Sequence, residues 1–231
     1  MRDNLHVAMS AREYHDYTSG SMGPWDELLI GRLNSEYKPP PPARTIVDVG
    51  TGTAVLPIKL AAIPKFDGAF FVGTDLFLDM VETAREAVHA VGLSDRIRVD
   101  QCDVHAMPYE DDWADYVISR STVHHWADPV QAFREIFRIL RPGGIALIHD
   151  PRRDPNPAFL EDFNRRRRAA GFEPNDLSEK YTAAEAGEFL AAAQIRAYSK
   201  ITAPEQGPAS MGFEVRIEKP SRTIAQGSGQ A

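Results

Sequence analysis

The stretch Thr45-Ile46-Val47-Asp48-Val49-Gly50-Thr51-Gly52-Thr53-Ala54-Val55-Leu56 decides the fold. A short apolar run stops at an acidic residue, enters a glycine turn and then takes up helical spacing, which reads as a nucleoside-binding strand, loop and helix. Gly50 and Gly52 allow φ values closed to other residues, and their lack of side chains lets a ligand approach the backbone. Amides at the start of the following helix donate to a carboxylate or another polar ligand group. A dinucleotide-binding loop uses the same devices. Its fingerprint, however, wants glycine or alanine where Val55 stands, and a carboxylate at Asp48 repels a pyrophosphate. A cationic ligand suits Asp48 better.

Outward from this loop, apolar runs alternate with amphipathic stretches. Residues 45–49 read as a first strand, 53–63 as a helix, 69–74 as a second strand and 78–91 as a second helix. Residues 97–99 and 116–119 read as a third and a fourth strand. Asp128-Pro129 supplies an N-cap followed by a first-turn proline, after which Val130, Phe133, Ile136, Phe137 and Leu140 repeat at helical spacing. Arg141-Pro142-Gly143-Gly144 stops that helix, and residues 145–149 form a fifth strand. This alternation predicts an α/β fold, a doubly wound parallel sheet with helices on both faces. Residues 159–170 and 183–193 read as helices, and 195–201 and 212–217 as two closing strands, making about seven in all.

Three segments follow from composition. Residues 1–42 form a polar and aromatic lead, with Tyr14, Tyr17, Met22 and Trp25 as a lid or a docked helix, ending in the prolines Pro39 to Pro42 as an extended connector. The main domain covers 43–219, and residues 220–231, rich in Pro, Ser, Gly and Gln, read as a disordered tail.

The net charge of −7, from 26 basic and 33 acidic residues, disfavours a polyanion partner, so no nucleic acid is expected. Cys102 is the single cysteine, which excludes an intrachain disulfide framework and a cysteine-rich zinc site, and a reducing, cytoplasmic setting is expected. No apolar run approaches the roughly 20 residues of a membrane span.

Asp48-Val49-Gly50-Thr51-Gly52-Thr53-Ala54 resembles the first motif of class I S-adenosylmethionine-dependent methyltransferases, with Ala54 at a position where that family often has glycine. Ser119-Arg120-Ser121-Thr122-Val123-His124-His125-Trp126, followed by Ala127-Asp128-Pro129, resembles the small-molecule branch of the ubiquinone-biosynthesis and type 11 kind. The likeness runs through Gly144. It implies a Rossmann-like sheet, mostly parallel with an antiparallel C-terminal strand, which the closing strands match.

Ligands of such sheets lie beyond the carboxyl ends of the strands. Asp48, Gly50 and Gly52 are expected to hold the methionine side of S-adenosylmethionine, and Asp75, at the end of the second strand, the ribose hydroxyls. The resemblance places Asp103 on the adenine amino group and the Val104 amide on the ring. Leu76 and Met107 are candidates to cover the adenine faces. It places Ser119 and Arg120 beside the methionine part.

His124 and His125 are candidate bases or shapers of their loop, and His149, with Asp150, forms a second candidate pair. No compact ligand spacing accompanies these histidines, so no metal is expected. Arg152, Arg153 and Arg165 to Arg168 read as a solvated face or as contacts for an acidic substrate, phosphate or membrane surface. The expected activity is methyl transfer to a small-molecule acceptor at O, N or C by in-line displacement. The alternatives are a cofactor-binding regulatory or non-methylating protein on this fold, or a nucleic-acid methyltransferase. Against the last, the chain carries Ser119-Arg120-Ser121-Thr122 where base-directed amino-methyltransferases commonly carry an Asn/Asp-Pro-Pro-aromatic motif.

Overall fold

In the computed structural model of this chain, the described residues are 10–13, 15, 23–38, 44–169, 173–174 and 176–221. The expected lid residues Tyr14, Tyr17 and Met22, the proline connector 39–42 and nearly all of the tail 220–231 lie outside them.

Seven strands form one sheet. They are β1 (Thr45–Val49), β2 (Phe70–Asp75), β3 (Ile97–Gln101), β4 (Ala114–Arg120), β5 (Leu140–Pro151), β6 (Ser199–Thr202) and β7 (Gly212–Glu218), in the order β3-β2-β1-β4-β5-β7-β6. β1 to β5 pair in parallel, while β7 runs antiparallel to both β5 and β6. The central strands are apolar without alternation because helices cover both faces. Along them the side chains divide: Val47, Val117 and Val215 enter one core with Phe133 and Ile136, and Ile46, Ile118 and Leu147 enter the other with Phe71 and Leu29.

Besides the helical residues 11–13 and 15, six α-helices complete the described fold: α1 (Gly23–Glu36), α2 (Val55–Ala61), α3 (Leu78–Ala90), α4 (Pro129–Ile139), α5 (Pro157–Ala169) and α6 (Ala183–Ala192). α4 starts as its sequence predicts, with the Asp128 carboxylate accepting from the Gln131 amide at 3.0 Å and Pro129 in the first turn. α6 starts on a capping box between Thr182 and Glu185.

Several boundaries differ from expectation. α2 begins two residues late because Ala54 sits at φ 61, in the left-handed region, and cannot be a helical residue. That geometry costs a non-glycine residue about 1–2 kcal/mol, which explains why glycine suits the position. β5 begins at Leu140, directly after α4. Ala114 pairs with Leu140 but Tyr116 with Ile145, so residues 141–144 bulge from the ladder around Gly143 at φ 78. The closing strand expected from residue 195 begins only at Ser199, after a short 3₁₀ turn over Arg196–Tyr198.

Candidate functional site

A cavity of about 360 Å³ opens over the carboxyl ends of the parallel strands. β1 feeds it through Asp48, Gly50 and Gly52. Asp48 is wholly enclosed and accepts a hydrogen bond from the Thr51 hydroxyl at 2.7 Å. Burial pushes its carboxyl up to about 7, against the pull of Thr51 and of the Arg120 charge. Gly50, at φ 69, faces Thr122 so closely that a Cβ would clash with its methyl group.

β2 ends at Asp75, which is 8% exposed. One carboxylate oxygen accepts from the Gly52 amide at 2.9 Å and the other from the Phe77 amide at 3.1 Å. These bonds orient the carboxylate at the cavity wall. Leu76, 53% exposed, stands at the rim, and Asp103 and Val104 line the wall beyond β3. The Asp103 carboxylate is oriented by the His105 amide and ring. Met107, by contrast, is buried in the core and does not line the cavity.

β4 delivers Arg120, Thr122, His124 and His125 to the cavity wall. Ser119 is fully buried and outside that wall; its hydroxyl donates to the Val49 carbonyl at 2.8 Å and meets the Thr122 hydroxyl. Its side chain therefore ties β4 to β1 instead of reaching a ligand. Arg120 lines the cavity, but its Nε lies 2.6 Å from Oδ1 of Asp26, a fully buried carboxylate on α1. The other Asp26 oxygen takes Lys59 Nζ at 2.6 Å. The Asp26–Arg120 contact falls off the hydrogen-bond line, so it acts through charge. No local pattern marks Asp26, whose partners lie far away in sequence.

The three histidines separate. His124 is buried, and its Nδ1 lies 3.0 and 3.1 Å from the two Asp150 oxygens. Asp150 also accepts from the Val123 amide at 3.1 Å. With Nδ1–H donating to this carboxylate, Nε2 is the basic nitrogen. The His125 ring stands 3.9 Å from that of His124, centre to centre, and is exposed. His149 is a correction: it lies outside the cavity wall, with Nε2 2.9 Å from Glu214, which Arg32 also holds at 2.8 and 3.0 Å. Asp150, on β5, thus partners His124 in the turn after the adjacent strand β4 instead of its neighbour His149.

Three of the candidate arginines form ion pairs within the chain, and the Arg166 side chain lies outside the described residues. Arg152 meets Asp154 and Glu205, Arg153 meets Glu185, and Arg165 pairs with Asp162. Arg167 lines the cavity with Phe163, Lys180, Met211 and Trp25. Phe163 and Lys180 fall in the stretch 152–180, which is expected to help build an acceptor pocket but in which neither is singled out, and Met211 carries no signal. Among the described residues, no group of three or more His, Cys, Asp or Glu is arranged to hold a metal ion, and no helix is long and apolar enough to cross a membrane.

Comparison with known proteins bears on this cavity. Residues 47–148 match the family described as "Methyltransferase domain". The chain is 36% identical over 106 residues to Methyltransferase GfsG of Streptomyces halstedii, covering 46% of this chain and 37% of that protein. It is 33% identical over 136 residues to phosphoethanolamine N-methyltransferase 1 of Arabidopsis thaliana, covering 59% and 26%. The chain thus spans well under half the length of these curated relatives. The crystal structure of a SAM-dependent methyltransferase from Aquifex aeolicus superposes with a TM-score of 0.62 at 20% identity, over 82% of this chain and 88% of that one, which shows the shared fold. Residues 47–148, from the motif that opens the sheet through most of β5, thus match a methyltransferase domain.

Proposed function

We propose that this chain transfers the methyl group of S-adenosylmethionine to a small-molecule acceptor. One observation carries the reading: one cavity brings together three carboxylates at the carboxyl ends of β1, β2 and β3 and His124, which is backed by the buried Asp150 of β5. The donor set fits the cofactor. Asp48 would face its cationic methionine part, Asp75 its ribose hydroxyls, and Asp103 and Val104 its adenine, with Leu76 covering the base. A cavity of this volume matches a ligand of that size.

When bound, S-adenosylmethionine supplies a methyl carbon already activated by its positive sulfur, for in-line displacement. The protein has to hold an acceptor in line, exclude water and, where the nucleophile carries a proton, remove it. His124 takes that proton at Nε2, and Asp150 fixes its tautomer and stabilises the charged ring. The names of the relatives, a phosphoethanolamine N-methyltransferase among them, agree with a small-molecule acceptor.

The purified chain should bind S-adenosylhomocysteine in calorimetry and should move label from methyl-labelled cofactor into a pool of cell metabolites. Folded protein that binds neither cofactor nor product would sink the reading. Tight binding without labelled product would make the chain a binding module instead.

Asp48 gives a second test. Its folded value near 7 stands above its ordinary 3.8, so the neutral carboxyl stabilises the ligand-free fold fully below about pH 4, and this contribution is lost as pH rises through 7. Arg120 works against that rise, while Asp26 and Asp75 add to it. A cationic ligand favours the ionised form. Affinity for S-adenosylmethionine should therefore increase up to about tenfold from about pH 6 to about pH 8. Asp48→Asn should flatten that dependence, and a flat profile in the unsubstituted chain would refute this role for Asp48.

A further inference from the structure

His105 is bonded at both ring nitrogens, and the two bonds fix where its proton sits. The Asp128 amide donates to Nε2 at 3.0 Å. An amide nitrogen can only donate, so Nε2 keeps its lone pair and the proton of the neutral ring sits on Nδ1. Nδ1 lies 2.5 Å from Oδ1 of Asp103 and donates to it. The His105 amide donates to the same oxygen at 2.9 Å.

Asp103 and His105 follow β3 and both line the cavity, while Asp128 caps α4. The Gln131 side chain donates to the His105 carbonyl at 3.1 Å, and the Gln131 amide to the Asp128 carboxylate at 3.0 Å. The first turn of α4 therefore grips residue 105 by both ring and backbone. Burial works to raise the Asp103 carboxyl, yet the bonds from the His105 amide and ring bring it below its ordinary value. Both bonds fall on Oδ1. Among the described residues no hydrogen bond reaches Oδ2, and the side chain is 50% exposed, so this oxygen is open to a ligand donor.

We propose that His105 is a positioning residue for the methyl donor: with its tautomer set by the Asp128 amide, it holds Oδ1 of Asp103 so that Oδ2 accepts from the amino group of adenine. The inference rests on the methyl-transfer reading, in which Asp103 faces the base. Without the ring bond, a half-exposed carboxylate turns more freely toward water, and the ligand has to order it on binding; a carboxylate held beforehand avoids that cost. The same bond ties the base-binding wall to the segment between β4 and α4, which carries His124.

Calorimetry on the full chain tests it, with S-adenosylhomocysteine and its analogue lacking the 6-amino group of adenine. The unsubstituted chain should prefer the amino form by about tenfold. His105→Ala should cut that preference at least threefold, with affinity for the analogue held within twofold. His105→Asn, whose side-chain N–H stands near the place of Nδ1–H, should keep the preference within twofold of the unsubstituted chain, which separates a lost bond from lost folding. Nitrogen-15 NMR of the histidine-labelled chain without ligand, at about pH 8, should show His105 protonated at Nδ1, its signals identified by their loss in His105→Asn. A ring protonated at Nε2 would overturn the proposal. So would equal binding of the two ligands by the unsubstituted chain, or loss of the preference in His105→Asn. An unchanged preference in His105→Ala, whether or not both affinities fall together, would overturn it too, since His105 would then serve only the fold of the wall. Failure of the unsubstituted chain to bind S-adenosylhomocysteine appears in the first titration and counts against the methyl-transfer reading itself.

Discussion

Replacing Asp26 by alanine should lower the unfolding free energy by about 3–5 kcal/mol in urea denaturation. The carboxylate is completely enclosed and meets Arg120 and Lys59 at 2.6 Å each. The Arg120 side chain is only 10% exposed, so without Asp26 its charge stays buried and uncompensated. Lys59, 30% exposed, can turn to water and contributes far less. Lys59→Met should accordingly cost about 1 kcal/mol or less. A second readout separates a charge effect from lost packing. Asp26 helps to raise the Asp48 carboxyl and Arg120 to lower it, so in Asp26→Ala the Asp48 titration should move below its midpoint near 7. A loss under about 1 kcal/mol, with that titration unmoved, would show that the cluster does not join α1 to the site.

His124→Ala should reduce kcat by about two to four orders of magnitude, the range general-base catalysis supplies. The rate is read as transfer of labelled methyl to the acceptor found in the metabolite screen. Affinity for S-adenosylhomocysteine should stay within twofold, because the carboxylates proposed to hold the cofactor lie elsewhere on the wall. Asp150→Asn keeps a carbonyl acceptor for the Val123 amide and for Nδ1–H of His124, but loses the negative charge that stabilises the protonated ring. It should fall between the unsubstituted chain and His124→Ala. A His124→Ala chain within about threefold of the unsubstituted rate would mean that positioning alone carries the reaction.

What the sequence disclosed were features set by neighbours in the chain. The loop from Asp48 to Gly52 was legible because its glycines and carboxylate are contiguous, and the Asp128 cap because its partner Gln131 is three residues away. Asp75, Asp103 and Val104 were legible as strand ends, and the structure brings them into one wall. The rest depends on pairings that topology makes. Asp26 meets Arg120 across the fold, Asp150 reaches His124 from the next strand, and Glu214 takes His149 away from the cavity. Lys180 sits outside any regular helix or strand, so no periodicity pointed to its burial. Ser119 and Arg120 were adjacent candidates, yet one β4 side chain turns into the sheet and the other to the cavity, as neighbouring side chains of a strand must.

The place of β7 governs the order in which this protein can assemble. β7 follows every other strand in the chain, yet it enters between β5 and β6 and gives β6 its sheet partner. It also fastens α1: Glu214 binds Arg32 across 182 residues, and Arg216 binds Glu36 across 180. Gly212 packs so near the Trp25 ring that a Cβ would come within 2.8 Å of it. Contacts of such sequence separation form late and slowly, because loop closure must precede them. During synthesis the parallel strands β1 to β5 can pair, and α1 can meet Lys59 and Arg120 through Asp26, before β7 adds its contacts. The part of the cavity wall that carries Trp25 and Met211 is therefore completed only after β7 is in place.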